Sequence, residues 1–324
     1  MNQIINYISK DNFDKEKIIT FLGGEPLLAH KVIKKFIKKT NNFGWLYSMY
    51  TNGLLSNQTP LNTLKLFDII FISIDGDRKA QEKYRGRGSY QKVIDNIKLI
   101  KPEIKAIIIG RITVTEETDI LKSVTNLLKY VDFVHWQIVN KPKFNDTNRF
   151  INRYKKSIEK LFTFWLSNLK NGKLLNIIPI QAVVASLMFN YPKHKFSFRC
   201  GAGRNLKIIN MDGNIYWCDE YVGNKKGCVG NINNSLSKSK LIYKKHTDLF
   251  DDCKRCKISN ICRGRCRRMF KEYSINQIRN YCKLTKYLIE IIYKHKKEIN
   301  HIIKDKNYNL KRFYNIPNCT EEIP

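Results

Sequence analysis

The residues most able to do chemistry in this chain of 324 amino acids are nine cysteines, none of which precedes Cys200. Clustered thiolates are soft ligands that suit zinc or an iron–sulfur cluster. The spacing therefore predicts a metal-binding region in the second half of the chain. The cysteines are Cys200, Cys218, Cys228, Cys253, Cys256, Cys262, Cys266, Cys282 and Cys319.

Zinc and disulfides are the alternatives to iron–sulfur clusters. A four-cysteine zinc site usually has two pairs of ligands separated by a longer loop. Here four cysteines fall within residues 253–266, and Cys200, Cys218 and Cys282 would still need a partner. Disulfides are rare in a reducing compartment. Iron–sulfur clusters take four thiolates each, so seven spaced cysteines are nearly enough for two.

Composition and charge narrow the class of protein. Hydrophobic residues make up 43% of the chain, which excludes a disordered protein. The first residues lack the apolar stretch of a signal peptide, and no apolar run is long enough to span a bilayer. A cytoplasmic location is therefore expected. The formal net charge of +31 would attract an acidic polymer, but the lysines are spread along the chain, so specific nucleic-acid binding is not favoured.

The first half of the chain alternates between apolar strands and helical segments. Such alternation is typical of βαβ units around a parallel sheet. The pattern predicts strands at residues 18–21, 45–51, 67–75, 104–114 and 132–139. It predicts helices at residues 27–39, 90–100, 116–130 and 147–169.

Polar and glycine residues follow these predicted strands. Gly23-Gly24-Glu25, Thr51-Asn52-Gly53 and Ser73-Ile74-Asp75-Gly76 come at successive strand ends, and Arg111 lies late in the fourth strand. Each could be a simple turn. Because functional residues of parallel sheets collect at the carboxyl ends of the strands, their recurrence predicts a lined pocket.

These residues resemble a known family, the radical S-adenosylmethionine (SAM, also written AdoMet) enzymes with a C-terminal SPASM domain. The spacing of seven cysteines is similar to that of the SPASM domain. Residues 21–26 (FLGGEP) look like the family's GGEP motif, and residues 73–76 look like the end of its next-but-one strand. The resemblance covers about residues 15–290.

The fold implied by this resemblance is α/β. It is a partial (β/α)6 TIM-like barrel that lacks its first unit, followed by a small cysteine-rich iron–sulfur SPASM domain and a C-terminal helix. The implied domains are residues 1–175, 176–290 and a basic tail at 291–324. Residues 284–304, which begin just before this tail, have helical apolar spacing, which favours a docking helix over a membrane-surface helix.

The resemblance also implies two auxiliary [4Fe-4S] clusters. The first would be held by Cys200, Cys218 and Cys266, with Cys228 as fourth ligand or with an open site. The second would be held by Cys253, Cys256, Cys262 and Cys282. No role is assigned to Cys319.

The implied SAM site lies at the strand ends. There the backbone of the Gly23-Gly24-Glu25-Pro26 motif would hold the SAM amino group. Ser73 and Asp75 would lie near the ribose, and Arg111 would pair with the carboxylate or else form an ordinary salt bridge. In related sulfatase-maturing enzymes an aspartate at the place of Asp219 resembles a general base, although a surface role is the alternative.

One departure from the family concerns the SAM-cleaving cluster itself. Family members carry a Cys-x3-Cys-x2-Cys loop after their first strand, and this chain has no cysteine before Cys200. The expectation is that the sequence is N-terminally incomplete, with a piece of a split enzyme or a decayed remnant as alternatives, and that as written it does not cleave SAM.

For the complete enzyme, the resemblance implies radical modification of a peptide or protein side chain. The reaction would be a thioether or carbon–carbon cross-link, with sulfatase-type oxidation as the runner-up. The implied electron donor is a reduced flavodoxin or ferredoxin. The alternative from another class is a non-catalytic iron–sulfur or zinc module that binds a partner.

Overall fold

A computed structural model describes residues 1–10, 17–189, 200–203, 206–234, 251–317 and 322–324; Cys319 lies outside these ranges. The first half contains a parallel sheet whose strands follow one another in chain order, with helices between them, as predicted. An isolated parallel bridge from Val134 to Ile177 adds one more segment beside the last strand. The strands are β1 (Ile18–Phe21), β2 (Leu46–Thr51), β3 (Ile69–Ser73), β4 (Ile107–Val114) and β5 (Phe133–Ile138).

The helices of this half begin at polar caps. Asp77, Asp119 and Asp146 each precede a helix and accept a hydrogen bond from a backbone N–H of its first turn. The helix predicted at 116–130 is shorter than expected, because Asp119 caps it three residues later. The helices are α1 (Asn2–Ser9), α2 (His30–Thr40), α3 (Leu61–Leu64), α4 (Arg78–Arg85), α5 (Ser89–Ile100), α6 (Ile120–Leu127), α7 (Thr147–Lys170) and α8 (Ile178–Phe189).

The two faces of the sheet differ in what covers them. Side chains alternate between faces along a strand. A Cβ placed on Gly110 of β4 would lie 3.3 Å from Leu127 of α6. The face of the sheet toward which that Cβ would point is therefore covered by helices. Ile70, Ile72 and Ile112 share that face and are fully buried. We call the opposite face the inner face, and most of the candidate site lies on it.

The second half is mostly helical and includes a small antiparallel sheet of three strands in the described residues. The strands are β6 (Ile208–Ile209), β7 (Asn214–Tyr216) and β8 (Cys228–Asn231). The helices are α9 (Asp251–Lys254), α10 (Ser259–Cys262), α11 (Arg267–Glu272), α12 (Ile275–Lys294), α13 (Lys296–Asp305) and α14 (Lys311–Tyr314).

The helical pattern of residues 284–304 corresponds to two helices rather than one. α12 packs along α7 and runs without a break through residue 290, the predicted boundary. The chain bends at His295, whose ring is hydrogen-bonded to Glu298. The bend allows Ile299 and Ile303 of α13 to reach the same core as Leu288. None of the helices in the described residues is long and apolar enough to cross a membrane.

The loop after β5 is held by groups from both halves of the chain. Tyr281 of α12 donates from its hydroxyl to the carbonyls of Val139 and Lys141, and accepts from the N–H of Lys141. Glu116 accepts hydrogen bonds of 2.5 Å from the Lys141 ammonium and from the N–H of Asn145. The buried phenol of Tyr281 and this carboxylate together fix the loop at the carboxyl edge of the sheet.

We expect the loop to loosen in acid. Burial opposes ionisation of Glu116, but its hydrogen bonds to Lys141 and Asn145 outweigh burial and lower its pKa below the ordinary 4.5. A carboxylate with a depressed pKa stabilises the folded state above its unfolded pKa, and this contribution is lost as pH falls through the folded pKa. The hydrogen-exchange protection factors of the amides in residues 139–146, which correct for the intrinsic exchange rate at each pH, should therefore fall below about pH 4.5. Glu116→Gln should remove most of that pH dependence; an unchanged profile would contradict this assignment.

Candidate functional site

Arg111 lies on the inner face of β4, and aromatic rings support it. Its guanidinium carbon lies 4.9 Å from the centre of the Tyr50 ring, which stacks on Phe71 at 4.3 Å. The guanidinium also donates a hydrogen bond to Gln137 of β5. Within the described residues no carboxylate forms an ion pair with Arg111, so the ordinary salt bridge considered for it is not formed there. The planar cation is thus held by neutral groups and suits a carboxylate ligand.

Ser73 is the register partner of Arg111 on the neighbouring strand. Adjacent strands lie about 4.8 Å apart, so the two residues flank the same part of the inner face. Ser73 is half-buried. The structure therefore brings together two of the residues predicted for the SAM site.

The Gly-Gly-Glu segment follows β1 at the carboxyl edge of the sheet. Gly23 has a φ of +126°, a conformation that side-chain-bearing residues rarely adopt, and both glycines are exposed. Glu25 points back into the protein, where it accepts hydrogen bonds from the Thr51 hydroxyl and the N–H of Asn52, both at 2.8 Å. Pro26 is buried at the start of a short 3-10 helix, Pro26–Ala29. The glycine backbone thus stays accessible while the glutamate ties the ends of β1 and β2 together.

Asp75 follows β3 and is satisfied inside the protein. It is 5% exposed, and its carboxylate accepts from Arg85 at 2.6 Å and from the N–H of Thr113 at 3.1 Å. Its own N–H donates to Gln81. Asp75 therefore links the ends of β3 and β4 to α4, close to the place where a ribose contact was predicted.

Loss of the Asp75 charge should destabilise the fold. Asp75→Asn keeps the size of the side chain but leaves Arg85 without its counter-ion, and we expect a loss of about 2–4 kcal/mol in the free energy of unfolding. The matched control is Glu82→Gln, which breaks the more exposed Arg78–Glu82 pair of the same helix. That change should cost under about 0.5 kcal/mol. Equal urea midpoints for the two variants would contradict the structural role of Asp75.

Four cysteines of the predicted second set lie near one another. Burial and the neighbouring thiols of Cys282, Cys262 and Cys256 raise the pKa of Cys253 to about 11. Cys262 is buried in the main core, and Cys282 packs against that core. Two members of this group, Cys262 and Cys282, therefore belong to the same packed interior as the parallel sheet.

The cysteines predicted for the first set, including the fourth candidate Cys228, come from four segments. Cys218 and Cys200 belong to a small apolar cluster around Trp217 and β7. Burial raises the pKa of the Cys218 thiol well above its usual range, and the charges of Asp219 and Cys266 raise it further. Cys228 is half-buried on β8 and donates from its thiol to the carbonyl of Gly230 at 3.4 Å.

The chemistry of both groups fits a positively charged metal cluster. The described ranges contain eight cysteines, and each carries a thiol group. Buried thiols with raised pKa values ionise when a metal takes them as ligands, because its charge offsets burial and mutual repulsion. In the described part of the chain, no three Cys, His, Asp or Glu residues converge tightly enough for one metal ion. A cubane cluster is larger than a single ion and takes thiolates that lie further apart.

Comparison with known proteins gives one family match and several relatives. A family model described as a 4Fe-4S single cluster domain matches residues 1–95, a stretch without cysteine. A cysteine-type anaerobic sulfatase-maturating enzyme of Clostridium novyi (strain NT) is 27% identical over 277 residues, which cover 76% of this chain and 72% of that enzyme.

Solved structures share the fold. A hexahistidine-tagged anSMEcpe with bound AdoMet superposes with a TM-score of 0.74 at 19% identity, covering 99% of this chain and 90% of the other. "Native anSMEcpe with bound AdoMet and Cp18Cys peptide" gives a TM-score of 0.71 at 21% identity, covering 95% and 91%. The resemblance to radical SAM enzymes with a SPASM-type domain is confirmed.

The resemblance supports an enzyme of the maturase kind that uses iron–sulfur clusters and SAM as cofactors. The predicted α/β fold is likewise confirmed. The individual ligand and SAM-contact residues rest on the geometry described above and remain predictions.

Asp219 lies beside Cys218, a candidate cluster ligand. Its carboxylate is 3.4 Å from the Cys218 sulfur, which donates to it, and the residue is exposed at the start of the 3-10 helix Asp219–Tyr221. The carboxylate is therefore accessible from the surface of the protein. The position is compatible with the predicted general base.

Sequence reasoning missed the residues that support these groups. Tyr50 and Gln137 hold Arg111, and alternation along neighbouring strands could have placed them on its face. Arg85 neutralises Asp75 from a helix that was not predicted. Tyr281 reaches the loop after β5 from 140 residues away, and no local pattern signals such a contact.

Proposed function

We propose that this chain takes part in the oxidation of a cysteine side chain in a polypeptide substrate. The observation that carries the proposal is a combination within one chain. On the inner face of the sheet, Arg111 forms no ion pair with a carboxylate of the described residues. The same chain carries two groups of thiols and an exposed Asp219. Relatives that span most of the chain are named as cysteine-type sulfatase-maturating enzymes, which favours oxidation over the cross-linking expected from the sequence.

The chain's own residues would bind and orient SAM. The exposed backbone of Gly23 and Gly24 would hold the amino group, and Arg111 would pair with the carboxylate. Ser73 would lie beside the ribose. Asp75 would act by fixing the strand ends around it, since its carboxylate is already engaged by Arg85.

The thiols would hold two auxiliary [4Fe-4S] clusters. Cys200, Cys218 and Cys266 would serve the first, with Cys228 as a fourth ligand once its bond to Gly230 is given up. The second would use Cys253, Cys256, Cys262 and Cys282. When bound, SAM and the clusters supply the radical and electron-transfer chemistry, while Asp219 would accept the proton that leaves the substrate.

The SAM-cleaving cluster needs three further thiolates, and residues 1–199 contain no cysteine. We therefore propose that those thiolates come from outside these residues, and that this chain alone yields no 5′-deoxyadenosine. A reduced flavodoxin or ferredoxin would be the electron donor. Formation of 5′-deoxyadenosine by the reconstituted chain alone would overturn this part of the proposal.

The test of the binding role is equilibrium dialysis with SAM, and then with the Cp18Cys peptide, using the full chain after anaerobic reconstitution. Loss of a charged hydrogen bond in Arg111→Leu should weaken SAM binding by about tenfold or more. Arg149 of α7 is exposed, so Arg149→Leu is the control and should leave binding unchanged. Failure of the wild-type chain to bind SAM would favour a non-catalytic iron–sulfur module instead.

A further inference from the structure

The short helix α11 contacts the segments of Cys200, Cys218 and Cys266, the three cysteines that the predicted first set always includes. It begins directly after Cys266, which caps it. Four of its side chains reach the segments of Cys218 and Cys200, namely those of Arg267, Arg268, Lys271 and Glu272. These contacts are separate from the thiols themselves and can be changed without removing a ligand.

The first contact is a chain of short polar bonds to the segment of Cys218. Tyr221, which ends the 3-10 helix after Cys218, donates from its hydroxyl to Glu272 at 2.5 Å. Arg268 bonds the other Glu272 oxygen at 2.7 Å and reaches Glu220 at 2.5 Å. Burial and the hydrogen bond to Glu272 raise the pKa of Tyr221, so the phenol remains a donor at neutral pH. These bonds join the C-terminal end of the 3-10 helix that follows Cys218 to the C-terminal end of α11, which follows Cys266.

A second contact lies closer to Cys218. The Lys271 ammonium of α11 lies 4.7 Å from the ring centre of Trp217, the residue before Cys218. Trp217 is 2% exposed and packs against Tyr221 with ring centres 4.7 Å apart. A Cβ on Gly227 would lie 2.1 Å from the Cβ of Tyr221, so a glycine is required for this approach. Trp217 and Tyr221 thus form a fixed surface against which α11 rests.

The third contact reaches the segment of Cys200. Arg267 is 7% exposed and donates to the carbonyl of Ala202 at 3.3 Å. Ala202 is itself 2% exposed and lies two residues after Cys200. A buried guanidinium that satisfies a buried carbonyl constrains both partners, because either group left alone would be costly.

We propose that α11 organises the first three-thiol site, with Arg267, Arg268 and Glu272 as positioning residues that hold the segments of Cys200 and Cys218 against Cys266. The inference rests on the proposed function, because it takes these thiols as ligands of one cluster. The second group, around Cys253, is built on α9, α10 and α12 and does not need these contacts.

The test measures the two groups separately in the full chain. In a Cys262→Ala background, iron reports on the first site, and in a Cys218→Ala background it reports on the second. Glu272→Ala should lower iron and sulfide in the first background by about twofold or more from about four irons, and should alter the electron paramagnetic resonance signal of the remaining cluster. The same change in the second background should leave both readouts unaltered.

Conservative variants and controls distinguish positioning from general damage. Glu272→Gln keeps an acceptor for Tyr221 and should restore part of the iron, and Arg267→Met should behave like Glu272→Ala. Glu117→Gln breaks an exposed pair of 2.6 Å with Lys83 in the barrel half and should change neither site. Equal iron loss in both backgrounds, or none in either, would overturn the role of α11. A wild-type chain that takes up no iron would overturn the proposed function with it.

Discussion

Replacement of Cys262 by alanine is expected to remove about half of the iron that the reconstituted chain holds, from about eight to about four atoms per chain. The reason is that Cys262 lies with Cys253, Cys256 and Cys282 in one group, whose charges raise the pKa of Cys253. A cubane cluster that loses one of its four thiolate ligands is held less tightly and is expected to lose iron. Iron and sulfide counts after anaerobic gel filtration give the result.

Two comparisons sharpen this expectation. Cys218→Ala should remove the other half of the iron, and the double variant should hold almost none. Lys283→Ala changes an exposed side chain directly beside Cys282 and should retain the wild-type count. Bound zinc with little iron in the wild type, or equal iron in all variants, would contradict two iron–sulfur clusters.

Substitution of Gly76 by alanine is expected to cost about 3 kcal/mol or more of the free energy of unfolding. Gly76 has a φ of +102°, and a Cβ there would lie 2.2 Å from the hydroxyl oxygen of Ser123. Ser123 is 1% exposed at the start of α6 and cannot move aside without disturbing that helix. Backbone strain and steric overlap therefore add. The urea midpoint of the variant measures the loss.

Gly86 provides the matched control for the conformational part. Its φ is +92°, and nothing lies within 4 Å of the position of its Cβ. Gly86→Ala should therefore cost only about 1–2 kcal/mol. Adding Ser123→Ala to Gly76→Ala should recover part of the steric cost, and no recovery in this double variant would argue against the overlap with Ser123.

The strands were predictable because fully buried parallel strands are nearly continuous apolar runs. Residues 18–21 form β1 as predicted, and the other predicted strands match within three residues at either end. The break at His295 was not predictable, because apolar spacing continues across it. The roles of Glu25 and Asp75 show the same limit. Their positions at strand ends were evident from the sequence, but the inward direction of their carboxylates depends on partners from other strands and helices.

The cysteine groups illustrate the opposite case. The family resemblance divided the thiols into two sets, and the structure places Cys253 near three members of its predicted set and Cys218 near Cys266. What the spacing could not supply is α11 and its contacts. Arg268 and Glu272 form an ordinary i, i+4 pair in the sequence, and only the fold brings Glu220 and Tyr221 to them.

The packing of α12 along α7 limits how chimeras of such chains can be made. Cys282 lies on a helix whose apolar side, including Leu284 and Leu288, is fully buried in the same core as the parallel sheet. Tyr281, one residue earlier, holds the loop after β5. A cysteine-rich half transplanted from a relative would have to bring α7 and that loop with it. The natural unit of exchange is therefore larger than the cysteine motif suggests.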